Sequence, residues 1–160
     1  MGVRPVTDTL EAMAPGEHVH AATADEIGFF NVGYEPMDEL HEEFRDLMIA
    51  LASPDVGDYG LPLVEIHEHL LRHCTAEERW MREYGFPAYD CHKQEHDMLL
   101  EVVSEVRRRY DAGDNEIVQR LAQELPHWFE VHANTMDAAL GFFLRNLAEN
   151  AAGEQVAEPA

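Results

Sequence analysis

The chain has 160 residues, 46% of them hydrophobic, which is enough to bury one sizeable core in a single domain. Its formal net charge of -21, from 32 acidic against 11 basic residues, argues against nucleic acid and anionic membrane surfaces, both of which need a basic patch. Two cysteines, Cys74 and Cys91, make neither a disulfide scaffold nor a paired-cysteine zinc site, and no apolar run is long enough for an export signal or a bilayer crossing, so a cytoplasmic protein is expected.

Residues 1–28 mix Pro, Gly, Thr and acidic residues without a helical period and are expected to be an irregular arm. His18 and His20 lie in it and are read as facing solvent. A first helix begins near Pro36, a favoured first-turn residue, and stops at Ser53-Pro54. Met37, Leu40, Phe44, Leu47, Met48 and Leu51 form its buried stripe, and His41 lies on that stripe. After the turn-rich DVGDYG, Pro62 opens a second helix that runs to Tyr84 and is ended by Gly85. Its inward positions are Leu63, Ile66, Leu70, His73, Glu77, Trp80 or Met81, and Tyr84.

Asp90 is placed to cap a third helix with His92, His96, Leu99, Val103, Val106 and Tyr110 inward and Gly113 at its end. Asp114 or Asn115 then caps a long fourth helix reaching about Leu147. Pro126 should kink it, since proline lacks an N–H and clashes with the preceding turn. Trp128, His132, Met136, Leu140, Phe143 and Leu147 continue its apolar face. Residues 149–160 are expected to be a disordered acidic tail. No strand alternation of useful length is present, so the chain reads as all-α. Residues 29–148 make an up-down-up-down antiparallel four-helix bundle.

Histidine is unusually frequent, with ten in the chain. Residues four apart on an α-helix are offset by about 40° around the axis, so His73 with Glu77, and His92 with His96, each point one way. Imidazole with carboxylate, in the absence of a thiolate cluster, suits zinc or non-haem iron. A single core histidine is usually structural, bonded to a backbone carbonyl. That account fails for His41, His73, His92, His96 and His132 converging from four helices with Glu77 and Asp137, because burying so many unpartnered polar groups costs several kcal/mol. Seven donors exceed the four that tetrahedral zinc takes and suit two octahedral metals sharing carboxylate bridges, with one position left open.

The ordered set VGYEPMDELH, HCTAEERWM, HKQEH and WFEVHANTMD resembles the hemerythrin-like (HHE) family over about residues 29–147. The resemblance implies two non-haem irons (Fe2+/Fe3+) joined by an oxo or hydroxo bridge. His92, His96 and His132 would hold one iron. His41 and His73 would hold the other, which carries the open position, and Glu77 and Asp137 would bridge. It also implies reversible dioxygen binding without a catalytic acid or base, that is, an oxygen carrier, store or donor and not an enzyme. An oxygen or redox sensor acting through a protein partner, and a di-iron peroxidase or nitric-oxide-handling protein, are the competing functions. The expected state is a monomer, with a protein partner for oxygen delivery unidentified.

Phe44, Trp80, Met81, Trp128 and Met136 would screen the site from water while serving as ordinary core. Relatives usually have an aromatic where this chain has Cys74, an aliphatic residue at Ala133 and Gln at Leu40. Cys74 reads as a small buried hydrophobe, with a redox-sensitive thiol as the alternative. His69, one turn before His73, reads as a partly buried polar residue near the bundle end, with a hydrogen-bond partner of a ligand or an accessory ligand as alternatives. His67 and His127 are expected to face solvent.

Overall fold

The computed structural model describes residues 27, 28, 30–53 and 55–156, with side chains described as far as Gly153. Most of the expected arm, His18 and His20 included, and residues 157–160 lie outside the described residues. Five α-helices follow in order: α1 Glu35–Ala52, α2 Gly60–Tyr84, α3 Tyr89–Asp111, α4 Glu116–His132 and α5 Ala138–Val156, with a π-helical segment at Ala133–Asp137 joining α4 to α5. No strand is present among the described residues. The α4–π–α5 rod is the fourth member of a four-helix bundle in which α1 packs on α2 and α4, and α3 packs on the same two. No described helix is long and apolar enough to cross a membrane.

The connections follow local chemistry. Gly85 takes the left-handed conformation (φ 67°) that a side chain would strain, and the Phe86 N–H donates back to the Met81 carbonyl at 2.8 Å, closing α2 in the usual glycine-terminated way. Before α1, the Asp38 carboxylate accepts from the backbone N–H groups of Val32 and Gly33 at 2.7 and 3.1 Å, tying the incoming chain to the first helical turn. Val32 then crosses α5 at Gly141, where a Cβ would stand 3.2 Å from the Val32 carbonyl oxygen. Of the two expected caps, Asn115 holds the N-cap position of α4 without a side-chain bond, and Asp114 just before it accepts the Ile117 N–H at 3.2 Å, serving the first turn as a capping side chain does.

Several expectations are corrected. α2 starts at Gly60, ahead of Pro62, and α3 starts at Tyr89 with Ala88 as its cap. Asp90 instead sits inside the first turn, where its charge complements the helix dipole. Tyr84 is 48% exposed, because it is the last residue of α2, where the chain turns away. α4 runs unbroken through Pro126. Burial of Leu121, Ala122, Leu125 and Phe129 around that proline outweighs the roughly 3 kcal/mol an interior proline costs. The last helix does not stop near Leu147 but continues to Val156, since Ala148, Ala151 and Ala152 are strong helix formers and no proline intervenes before Pro159. Leu147, expected on the apolar face, is exposed.

Two apolar clusters fill the interior. The larger contains Ile27, Phe44, Leu51, Leu63, Ile66, Leu70, Val103, Leu121 and Phe129; the smaller contains Met37, Trp80, Met81, Leu140 and Leu144. Along each bundle member the polar core residues fall between these clusters: His41 after Met37, His73 and Glu77 between Leu70 and Trp80, His132 and Asp137 between Phe129 and Leu140. A polar layer is therefore sealed at both ends by hydrocarbon.

Candidate metal centre

All seven expected donors are buried, and Glu77 and Asp137 are fully excluded from solvent at 0% exposure. They converge as two groups sharing both carboxylates: Glu77, His92, His96, His132 and Asp137 in one, His41, His73, Glu77 and Asp137 in the other. Within each group the candidate ligand atoms lie within 4.8 Å of one another.

Each carboxylate divides its oxygens between the groups. Glu77 Oε1 is 2.8 Å from His73 Nε2 and 4.0 Å from His41 Nε2, whereas Oε2 is 3.2 Å from His92 Nε2 and 3.1 Å from His96 Nε2. Asp137 Oδ2 is 2.9 Å from His41 Nε2, whereas Oδ1 is 3.0 Å from both His92 Nε2 and His132 Nε2. All five imidazoles therefore turn Nε2 inward.

The π segment makes this possible. Five residues on an α-helix sweep about 500°, leaving His132 and Asp137 about 140° apart. The wider π turn at Ala133–Asp137 brings them to one face, a recurrent use of such turns at functional sites. The Thr135 hydroxyl donates to the Val131 carbonyl at 2.7 Å, taking up one acceptor near the turn.

Four of the five outward nitrogens have a polar neighbour, of which only His69 is a candidate on sequence grounds; the contact at His96 is not a well-formed hydrogen bond, and His92 Nδ1 makes none. His41 Nδ1 donates to the Phe30 carbonyl at 2.7 Å, and His132 Nδ1 to Glu95 Oε2 at 2.7 Å. His96 Nδ1 lies 3.5 Å from Glu78 Oε1. His73 Nδ1 is 3.3 Å from His69 Nε2. Partners of this kind set the tautomer and ring orientation of a metal-binding histidine. His69 is wholly buried at 1% exposure, so it belongs to the site and not to the half-exposed bundle end where it was expected; Glu65, a turn earlier, is exposed. His67 is half-buried and accepts from Arg107 Nη1 at 2.7 Å, against the solvent-facing expectation, while His127 is exposed as expected.

The electrostatics match a cation site. Burial alone would push the Glu77 and Asp137 carboxyls up, yet the surrounding imidazoles hold both well below the ordinary carboxylate range. Burial pushes the histidines down, but bonds to these carboxylates reverse it, raising His41, taking His92 to about 9 and His132, with Glu95 assisting, to about 10. Protons thus stand in for positive charge. Even so, Glu77 Oε2, Asp137 Oδ1 and His92 Nε2 make no well-formed hydrogen bond. Those three atoms all face the three-histidine side. Buried orphans of this kind are costly, and a cation supplies what they lack, so the residues fit a metal.

Phe129, which the sequence reading passed over in favour of Trp128, packs edge-on against His41 and Phe44 with ring centroids 5.1 and 4.8 Å apart. Trp128 stacks on His132 at 4.8 Å. Phe44, Leu70, Cys74, Leu99, Trp128 and Phe129 join His73, His96 and His132 around a cavity of about 10 Å³, roughly the space one water needs. Trp80 and Met81 are buried in the smaller cluster, and Met136 is half-buried.

The fold and the buried donor set define a metal-binding four-helix bundle. The Hemerythrin HHE cation binding domain profile matches residues 32–141, and the chain belongs to that family. It is 34% identical over 127 residues to the bacteriohemerythrin of Ralstonia nicotianae, covering 79% of this chain and 93% of that protein. The bacteriohemerythrin of Methylococcus capsulatus is 28% identical over 123 residues, 74% of this chain and 92% of its own length. That of Aquifex aeolicus is 34% identical over 113 residues, 67% and 86%. No solved structure matches the chain significantly.

Proposed function

We propose that this chain binds dioxygen reversibly at a pair of non-haem irons and serves as an oxygen carrier, store or donor. The observation that carries the reading is the division of the carboxylate oxygens: Glu77 and Asp137 each turn one oxygen to the His41–His73 side and the other to the His92–His96–His132 side. A metal held in each group would use every inward atom of these side chains. His92, His96 and His132 would hold one iron, and His41 and His73 the other, which is one protein donor short and so keeps a position for a small ligand. A ferrous pair, when bound, supplies the two electrons that reversible dioxygen binding requires.

The remaining residues act on access and orientation. Phe44, Phe129, Leu70 and Leu99 give the cavity beside His73 apolar walls, favouring an uncharged diatomic over water. Cys74, its one thiol, is kept protonated by burial and is a poor nucleophile in that state. The outward bonds of His41 and His132 hold their rings with Nε2 toward the carboxylates.

The test is optical. The iron-loaded, anaerobically reduced protein should develop ligand-to-iron charge-transfer bands on exposure to air and lose them under vacuum, over repeated cycles, with two irons per chain by analysis. Irreversible oxidation on first contact with air would rule out the carrier, and sustained turnover of peroxide or nitric oxide with a reductant would favour the enzyme reading instead.

A further inference from the structure

His69 is not among the seven donors, yet it is as deeply buried as they are. Its Nε2 lies 3.3 Å from Nδ1 of His73, and its Nδ1 lies 3.3 Å from Oε2 of Glu43, close but not aligned as a well-formed hydrogen bond. The Phe44 ring lies parallel to it, with centroids 5.3 Å apart and planes 10° apart, which sets the plane of the imidazole. Glu43 is itself held from outside by Arg72 Nη2 at 3.2 Å and is half-exposed. A continuous row of polar groups therefore runs from the surface to the His41–His73 side of the centre.

Only one direction of bonding along this row is compatible with a metal. A metal on His73 Nε2 needs the lone pair there, which places the ring proton on Nδ1. That N–H then faces His69 Nε2, which must accept, so the proton of His69 must sit on its own Nδ1 and face Glu43. We propose that His69 is a positioning residue for His73: its Nε2 accepts the His73 Nδ1–H, and its Nδ1–H is directed to Glu43, so that His73 is held with Nε2 aimed at Glu77 and the metal. This rests on the reading of the centre as a metal site, but not on dioxygen as its ligand.

The arrangement also separates the two halves of the centre. His132 and His96 face carboxylates, Glu95 and Glu78, whereas His73 faces an uncharged nitrogen. A carboxylate raises the basicity of the ligand it orients, and an imidazole acceptor does so less. The metal beside His41 and His73 thus receives weaker support than its neighbour.

The full chain, freed of metal and titrated with zinc against a competing chelator, tests the proposal without iron or oxygen. Removing the acceptor with His69→Leu should weaken binding of the second, weaker zinc about 10- to 100-fold, the range for loss of a ligand's hydrogen-bond partner, with the first zinc unchanged. His69→Gln, whose amide oxygen can accept, should recover most of that loss. Equal zinc affinities for His69→Leu and the wild type would overturn the proposal. So would equal weakening by Leu and Gln when the metal-free variants melt alike, which would make His69 a packing residue only. Should the leucine variant not fold, the wild type decides: in the diamagnetic zinc-loaded protein, nitrogen-15 shifts must show His69 protonated at Nδ1 and bare at Nε2. The opposite tautomer refutes it. If the wild type bound no zinc and no iron, the metal centre itself would fall, and this proposal with it.

Discussion

His132 and Glu95 meet across the α3–α4 interface, with Nδ1 donating to Oε2 at 2.7 Å, and this bond directs the other ring nitrogen to Asp137, 3.0 Å away. The same bond holds the Glu95 carboxyl below its usual range, so the pair behaves as an oriented carboxylate–histidine unit. Glu95→Gln keeps the size and an acceptor oxygen but removes the charge. It should lower metal affinity at the His92–His96–His132 side about tenfold, toward the lower end of the 10- to 100-fold range for such partners. Glu95→Ala should lie toward the upper end. Chelator competition on the metal-loaded variants measures both, and an unchanged affinity for Glu95→Ala would show that His132 is held by packing against Trp128 alone.

The metal-free protein should have an unusual dependence of stability on pH. His92 and His132 are raised to about 9 and about 10 in the folded state, against about 6.5 when unfolded. Below pH 6.5 they are protonated in both states and their contribution is complete. Between pH 6.5 and about 10 the unfolded chain releases protons that the folded chain retains, so stability falls as pH rises. Glu77 and Asp137, held low, act in the opposite sense: their contribution is complete above the unfolded carboxylate range near pH 4 and is lost as pH falls below it. Denaturant titrations of the metal-free form should therefore give a maximum at about pH 5–6 and a loss on the order of a few kcal/mol by pH 10. Metal loading displaces the same protons, so the loaded protein should not show the alkaline loss, and loading at neutral pH should release protons to the buffer.

Much of this architecture could be read from residue spacing because two periods coincide in it. The apolar stripe of each helix recurs every three or four residues, and so do His73 with Glu77 and His92 with His96, so these candidate donors stand out as polar interruptions of the stripes. His132 and Asp137 break that rule. Five residues apart, they diverge on any regular helix, and the π turn that reunites them leaves no trace in a 3.6-residue pattern. The partners of the outward nitrogens were hidden for a different reason. Glu95 and Glu78 stand on polar helix faces and read as surface charge, the Phe30 partner is a backbone carbonyl, and Phe129 was overshadowed by Trp128 beside it. Pro126 does not end α4, because the packing of Leu125 and Phe129 outweighs its local cost.

The two cysteines should separate cleanly by reactivity. Both are free; Cys91 is exposed and Cys74 buried. Burial, then the charge of Glu77, push the Cys74 thiol well up, which removes the thiolate that reacts. A disulfide-exchange reagent should label Cys91 of the native protein within minutes and leave Cys74 unmodified until denaturant is added. Mass spectrometry of the labelled peptides assigns the site. Rapid labelling of Cys74 in the native protein would restore the redox-sensor alternative for that thiol.

Phe129 offers the sharpest separation of packing from metal chemistry. Its ring is 2% exposed, fills the space between Phe30 and Phe44 with centroids 4.8 Å from each, and stands edge-on to His41 at 5.1 Å and His73 at 6.3 Å. It offers no donor atom to a metal. Phe129→Ala should cost about 3–5 kcal/mol of unfolding free energy, the usual loss for a buried phenylalanine truncated to alanine, in the metal-free protein as well as the loaded one. Phe129→Leu, which keeps most of the volume, should cost much less. Both should retain the full complement of metal under native conditions, while the alanine variant, with a cavity opened beside His41 and His73, should oxidise faster in air than the wild type. Denaturant midpoints, metal analysis and the rate of spectral bleaching separate these effects. An alanine variant as stable as the wild type would mean that the surrounding core closes over the site, and an unchanged oxidation rate would mean that Phe129 does not screen the centre from water.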